Sequence, residues 1–97
     1  MEFMQLEMFV AAVEEGTIRG ASNRVFRTQP AVSMALSKLE DEFGVCLFVY
    51  SNHNRLVTEA GEMLYRYARQ LLDIRAEAVS AVAELRSYAR QRGSTEG

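Results

Sequence analysis

The sequence contains one cysteine, one histidine, one proline and no tryptophan. The single cysteine, Cys46, excludes an internal disulfide, and the lone histidine, His53, leaves a zinc site short of ligands. No paired carboxylates, serine–histidine–aspartate set or glycine-rich phosphate loop is recognisable, which argues against an enzyme. We therefore expect no metal, no cofactor and no catalysis, and we expect Cys46 to be a small buried hydrophobic residue.

Long apolar runs are also missing. No stretch approaches the roughly 18 consecutive apolar residues that a membrane-spanning helix needs, and the N-terminus lacks the basic and apolar regions of a signal peptide. We expect no membrane association and a cytoplasmic location. With 97 residues, 48% of them hydrophobic and 25% charged, the chain fits one small domain. A domain of this size has a small core, and a partner subunit would stabilise it.

The most informative pattern is a pair of helical segments joined by a tight turn, at residues 17–26 and 29–43. Thr28 is a favourable N-cap for the second segment, and Pro30 lies in its first turn, where a missing N–H costs nothing. Gly44 ends that segment. Two helices in this arrangement are typical of a helix-turn-helix, which makes double-stranded DNA the first candidate partner.

The apolar positions predict which faces are buried. A first helix, with apolar residues at helical spacing, ends at Gly16. Val25 and Phe26 are expected to close the apolar face of the second helix. The buried stripe of the third helix is predicted to consist of Val32, Leu36, Leu39 and Phe43.

A short hairpin and a long helix are predicted to follow. Residues 46–50 and 55–57 have strand character and flank a turn-rich segment at 51–54, which together predict a small wing. Residues 58–92 contain a long helical pattern. We therefore expect a mainly α fold, with a winged helix-turn-helix at 1–57, a linker and dimerisation helix at 58–92, and a flexible tail at 93–97.

Apolar residues in the long helix follow a seven-residue repeat with alternating steps of four and three, the spacing of a paired helix. This spacing predicts a homodimer through the linker helix. The predicted interface consists of Leu64, Tyr67, Leu71, Ile74, Ala78, Ala81, Leu85 and Tyr88. The same residues could instead pack on the first helix of their own chain, and both arrangements can hold together.

Several motifs in a fixed order resemble the N-terminal DNA-binding domain of LysR-type transcriptional regulators. The matching residues are Phe9, Glu14-Glu15-Gly16-Thr17-Ile18, Ala21, Arg24, Thr28-Gln29-Pro30-Ala31-Val32-Ser33, Leu39-Glu40, Phe43-Gly44-Val45, Leu47-Phe48 and Thr58-Glu59-Ala60-Gly61. The resemblance covers roughly residues 1–92. It implies bacterial transcription control by a dimer, with the third helix in the major groove and the wing on the DNA backbone.

The resemblance also implies a small-molecule-sensing domain after the linker helix. The sequence does not contain one, so we expect no effector site in this chain, which is either part of a longer regulator or a stand-alone domain.

The start of the third helix is predicted to read the bases. The Gln29 amide can pair with adenine through two hydrogen bonds, and Ser33 lies one turn further on the same face. Apolar side chains can contact the thymine methyl group. The predicted base-facing residues are Gln29, Pro30, Ala31, Ser33 and Met34.

A second set is predicted to contact phosphates, which position a protein on DNA without reading its sequence. This set consists of Arg24, Arg27, Thr28, Ser37, Lys38, His53 and Arg55. The net charge of −2 is unusual for a DNA-binding domain, but residues 16–57 carry five basic and three acidic side chains, a local charge of +2.

The sequence departs from the family pattern at positions that often carry DNA contacts. Tyr50 occupies a position where the family usually has arginine, and His53 and Asn54 replace a wing that is often basic. Met34 and Ala35 stand where arginine and glutamine are frequent. Because phosphate neutralisation supplies much of the affinity, we expect weaker DNA binding than is usual for the family. The alternative function is therefore a dimerising antagonist that pairs with a full-length regulator.

Overall fold

The computed structural model describes residues 1–51 and 54–96, and it is mainly helical. Three helices come first: α1 (Phe3–Glu15), α2 (Ile18–Val25) and α3 (Gln29–Phe43). An antiparallel hairpin of β1 (Phe48–Ser51) and β2 (Asn54–Val57) follows, and then one long helix, α4 (Glu59–Glu96). The predicted winged helix-turn-helix followed by a long helix is confirmed.

Local capping explains where the short helices begin and end. Gly16 ends α1 in the left-handed conformation at φ 80°, and its N–H donates to the carbonyl of Ala12. The hydroxyl of Thr17 accepts the Gly20 N–H at 2.9 Å, and that of Thr28 accepts the Ala31 N–H at 3.2 Å. These hydroxyls cap α2 and α3 as the sequence predicts.

The turn between α2 and α3 corrects one predicted core residue. Phe26 is the C-cap of α2 in the left-handed conformation, and its N–H donates to the Ser22 carbonyl. This conformation takes the side chain off the apolar face of α2, and 91% of Phe26 is exposed. Only Val25 of the predicted pair packs against the core.

The core is built from the inner faces of the first three helices, together with Leu47 and Ala68. The largest fully buried side chains are Phe9, Leu6, Leu39, Leu47, Val10 and Val32. The rings of Phe9 and Phe48 pack at 5.5 Å between centroids, which joins the wing to α1.

Two further predictions about burial are wrong. Phe43, the last residue of α3, is 43% exposed because the helix runs past the core, and Ala35 is buried instead. Cys46 is exposed because the first strand begins two residues later than predicted. Cys46 therefore lies in the connecting segment, where its carbonyl accepts the Thr58 hydroxyl at 2.6 Å, and Leu47 is the buried residue.

The start of α4 is fitted tightly against the base of the wing. The Thr58 N–H donates to the Leu47 carbonyl at 3.0 Å, and the Thr58 hydroxyl accepts the Gly61 N–H at 3.0 Å. A Cβ at Gly61 would overlap the Leu47 carbonyl oxygen and lie 2.7 Å from Cγ1 of Val57. Glycine is required here because the backbones approach so closely.

Helix α4 continues to Glu96 and so includes residues 93–96, which the sequence assigned to a tail. Gly93 weakens a helix by about 1 kcal/mol relative to alanine but does not end it. Gly97 lies outside the described residues. In the part of the chain that the structure describes, no helix is long and apolar enough to cross a membrane.

Candidate nucleic-acid interface

One face of α3 is buried and the opposite face is open. Val32, Leu36 and Leu39 pack into the core. The predicted base-facing residues lie on the open face, with Ala31 half-buried at its edge and Met34 60% exposed. The exposed members of the open face are Gln29, Pro30, Ser33, Met34, Ser37 and Lys38.

The N-terminal end of α3 borders a groove whose other wall is the wing. Six residues from α2, α3 and both strands line this groove. They are Ile18, Gln29, Pro30, Ser33, Tyr50 and Arg55. We call this the wing groove. It brings three predicted base-facing residues together with one predicted phosphate contact, Arg55. Ile18 and Tyr50 are members that the sequence prediction did not include.

The strand register explains why Tyr50 and Arg55 meet. They are direct cross-strand partners, and Phe48 is paired with Val57 two residues along. Nη2 of Arg55 donates to the hydroxyl oxygen of Tyr50 at 2.7 Å. The Arg55 guanidinium carbon lies 5.2 Å from the ring centroid of Phe48 and 5.5 Å from that of Tyr50. His53, the predicted wing-tip contact, lies outside the described residues.

The carboxylate of Glu40 fixes the wing relative to α3. Its Oε2 accepts the Leu47 N–H at 2.8 Å and the Phe48 N–H at 3.4 Å. These bonds join the end of α3 to the start of β1. Glu40 is not among the predicted site residues, although the Leu39-Glu40 pair is one of the motifs of the family resemblance.

The structure places Arg24 away from the wing groove. Its guanidinium pairs with Glu14 at 2.7 Å and with Glu15 at 3.3 Å, across from Arg69 of α4. The hydroxyl of Tyr65 also donates to Glu14. This bond and the Arg24 guanidinium lower the pKa of Glu14, despite partial desolvation, and the bond to Glu14 raises the pKa of Tyr65. Arg24 therefore joins α2 to α1 in this structure, and its contact with phosphate stays a prediction.

The remaining predicted phosphate contacts are placed differently from one another. Lys38 and Ser37 are exposed on α3, on the same open face as the residues at its start. Arg27 is exposed in the turn, with Nη2 at 3.7 Å from the sulfur of Met4. The Thr28 hydroxyl caps α3, so its hydrogen bond to Ala31 already uses one lone pair.

The predicted dimer seam on α4 divides into two parts. Leu64 and Leu71 are partly buried against the core of their own chain, so the intrachain alternative holds for these two. The other predicted interface residues are exposed. They are Tyr67, Ile74, Ala78, Ala81, Leu85 and Tyr88. Val79 and Val82 lie on the same stretch of helix and are exposed as well.

Within residues 1–51 and 54–96, no group of three or more histidine, cysteine, aspartate or glutamate side chains is arranged to hold a metal ion. The open face of α3 and the wing groove are the places where the structure brings predicted contact residues together.

Comparisons with known proteins agree with this geometry. A family model described as "Bacterial regulatory helix-turn-helix protein, lysR family" matches residues 3–62. The transcriptional regulator ClcR of Pseudomonas putida is 37% identical over 93 residues, which are 96% of this chain and 30% of ClcR. The chain thus spans about a third of the length of this curated relative.

Two solved structures are similar over most of the chain. The BenM DNA-binding domain in complex with catB site 1 DNA superimposes with a TM-score of 0.83 at 32% identity, over 88% of this chain and 96% of that one. The CbnR DNA-binding domain in complex with DNA gives a TM-score of 0.79 at 30% identity, over 87% of this chain and 97% of that one. From the family match, the relatives and the shared fold, we conclude that the chain belongs to the LysR family of bacterial regulatory helix-turn-helix proteins.

Proposed function

We propose that this chain is a sequence-specific double-stranded DNA-binding domain of a transcriptional regulator, and that it acts as a homodimer. The observation that carries the proposal is the open face of α3, where Gln29 and Ser33 are exposed beside the wing groove. An α-helix of this kind fits the major groove of B-DNA. The complexes of the BenM and CbnR domains with DNA support the same partner for this chain.

The open face divides into two roles. Gln29 and Ser33, with Pro30, Ala31 and Met34 around them, contact base edges. A good two-bond contact is worth about 1–3 kcal/mol of discrimination against the wrong base. Lys38, Ser37, Arg27, Thr28 and Arg55 contact the phosphates on either side and set the position of the domain. Arg24 supports α2 from behind through its pairing with Glu14.

The exposed apolar residues of α4 support a homodimer. Ile74, Leu85 and Tyr88 are large side chains on the helical spacing of a paired helix, and each is at least 60% exposed. Burying them against a second copy would remove this apolar surface from water. A two-fold dimer would place two copies of α3 on inverted half-sites.

A second candidate is a dimerising antagonist that binds DNA weakly. Met34 favours it, because this exposed apolar residue stands where the family often has arginine. The net charge of −2 has the same implication. Such a chain would pair through α4 with a full-length relative and reduce its affinity for DNA.

The test is selection of bound duplexes from a random library at about 100 mM salt, with the mass of the protein measured by light scattering. An enriched inverted repeat bound by a dimer supports the first proposal. A dimer without any enriched sequence contradicts it and favours the antagonist.

Two variants then separate base readout from phosphate contact. Gln29→Ala should relax the preference at one base position, whereas Lys38→Ala should weaken binding about equally on all sequences. Lys38→Ala should also lower the slope of log affinity against log salt by about 0.9. If both variants change the same quantity, the division of roles is wrong.

A further inference from the structure

The pair formed by Tyr50 and Arg55 is the feature of the wing groove that the family pattern does not explain. Tyr50 stands where the resemblance leads us to expect arginine, which suggests the loss of a phosphate contact. The strand register nevertheless puts a cation beside Tyr50, because Arg55 is its direct partner on the paired strand. Tyr50 is 71% exposed and borders the groove together with Gln29, Pro30 and Ser33.

The hydrogen bond within the pair leaves a donor free on each partner. Arg55 donates through Nη2 to the Tyr50 oxygen at 2.7 Å, so the Tyr50 hydroxyl proton must point elsewhere. Nη1 of Arg55 is shielded from solvent and has no hydrogen-bond partner among the described residues. Because Nη1 is shielded, the donor that an incoming anion can reach is the exposed Tyr50 hydroxyl, and the guanidinium contributes its positive charge.

The position of the guanidinium is fixed by its neighbours. The rings of Phe48 and Tyr50 both lie within 5.5 Å of the Arg55 guanidinium carbon and hold it by cation–π contacts. A fixed cation loses less side-chain entropy on binding than a free one. Glu40 lines a neighbouring pocket together with Tyr50 and Arg55, and its carboxylate accepts the N–H groups of Leu47 and Phe48.

We propose that Tyr50 and Arg55 together form a binding site for one phosphodiester group of the DNA strand beside α3. The Tyr50 hydroxyl donates to one non-bridging oxygen, and the Arg55 guanidinium behind it supplies the positive charge. No covalent bond changes. This inference rests on the proposed function, because the phosphodiester belongs to the duplex whose bases face Gln29 and Ser33.

The decisive variant is Tyr50→Phe, which keeps the ring over Arg55 and removes only the hydroxyl. On the selected duplex at about 100 mM salt we expect a loss of affinity of roughly 5- to 10-fold, measured by fluorescence anisotropy. Base preference and the salt slope should not change, because no charge is lost. Tyr65→Phe removes a tyrosine hydroxyl that bonds Glu14 away from the wing groove, so it is the matched control and should bind as the wild type does.

Two more measurements identify the ligand. Arg55→Gln should weaken binding on all sequences and lower the salt slope by about 0.9, since one cation is removed. Replacing single phosphates with neutral methylphosphonates should reveal one position that costs the wild type several-fold but costs Tyr50→Phe much less. Such coupling is the signature of a direct contact between the hydroxyl and that phosphate.

The outcomes separate this inference from the proposed function. If the wild type binds an enriched duplex and Tyr50→Phe binds it within twofold, the phosphodiester site is wrong and the proposed function stands. If every methylphosphonate position costs both proteins equally, the site is also wrong. If the wild type binds no duplex, both proposals fall. Unchanged thermal melting of Tyr50→Phe checks that its fold is intact.

Discussion

The two halves of α4 carry the same seven-residue repeat but have different surroundings. In the first half, residues 59–75, Ala68 is fully buried and Leu71 packs against the core. Arg75 ends this half, paired with Glu7 at 2.6 Å and stacked over the Phe3 ring at 5.2 Å. In the second half, residues 76–91, Leu85 is among the exposed apolar residues. We call these the anchored half and the distal half.

This difference shows what a periodic pattern can and cannot predict. The repeat identifies which positions of a helix are apolar, but it does not identify the surface that covers them. In the anchored half α1 helps to cover Leu64 and Leu71, because α1 runs alongside α4 as far as the contact between Phe3 and Arg75, whereas Tyr67 and Ile74 on the same repeat stay exposed. In the distal half we propose that a second copy supplies it. Four changes should break or sharpen this contrast.

The largest effect is expected at the first turn of the anchored half. Gly61→Ala places a Cβ against the Leu47 carbonyl and the Val57 side chain, where neither the helix nor the wing can move freely. We expect a loss of about 3 kcal/mol in the free energy of unfolding, measured by urea denaturation. Ser80→Ala, in the distal half, is the control and should change stability by less than about 0.5 kcal/mol. Equal stability of the two variants would contradict the tight fit.

A charge in the distal half should act on association. Leu85→Glu puts an unpaired carboxylate into the proposed dimer seam twice, once from each copy. We expect at least a 100-fold increase in the dimer dissociation constant, or about 2.7 kcal/mol, measured by analytical ultracentrifugation. An unchanged dimer would exclude the distal half as the interface. Glu84→Gln, next to it in sequence, is the matched control and keeps the apolar seam.

Matched truncations compare the two halves directly. Leu71→Ala removes a partly buried side chain, so it should cost about 2 kcal/mol of unfolding free energy at any protein concentration. Leu85→Ala should cost stability only where the dimer is populated, because the monomer leaves this residue exposed. The check is denaturation at two protein concentrations a hundredfold apart. If the stability loss of both variants depends on protein concentration in the same way, the proposed difference between the two halves is wrong.

The smallest effect concerns the bonds between Glu14 and its neighbours in α2 and α4. Tyr65 and Arg24 lower the pKa of Glu14, so its contribution to stability is present above the ordinary value of 4.5. The contribution is lost as the pH falls through the lowered pKa. Because Glu14 and its partners are partly exposed to solvent, we expect Glu14→Gln to lower the free energy of unfolding by less than about 1 kcal/mol at pH 7.

The difference in stability between the wild type and Glu14→Gln should therefore shrink as the pH falls from 6 to 3, as measured by thermal unfolding. Tyr65→Phe keeps the carboxylate and removes its donor, so it should show a smaller difference with the same sign. A difference that is constant over this range would mean that Glu14 does not hold the anchored half through its charge.

The parts of the fold that depend on neighbouring residues could be predicted from the sequence. Gly16 and Gly44 end helices, and Thr17 and Thr28 begin them, because caps are local hydrogen bonds between residues three or four apart. The exposure of Gln29 and Ser33 follows equally from helical periodicity.

The errors have a common physical cause. Phe26 and Phe43 lie at helix ends, where the periodic face no longer describes which way a side chain points. Cys46 was predicted to be buried, but it is exposed because the first strand begins two residues further on. Within the candidate site, the pairing of Tyr50 with Arg55 depends on strand register, and that of Arg24 with Glu14 depends on how α1 and α2 pack. Neither follows from spacing along one element.

If α3 and the wing bind DNA as proposed, the bonds from Glu40 to the N–H groups of Leu47 and Phe48 have a consequence for the duplex. They fix the distance between α3 and the wing. The domain therefore has little freedom to change this distance to suit different duplexes. A duplex must present a groove and a neighbouring strand at matching separation, or bend until it does. Sequences whose helical shape already meets that separation bind with less deformation energy. The side chain of Glu40 would thereby favour some base steps over others without approaching any base.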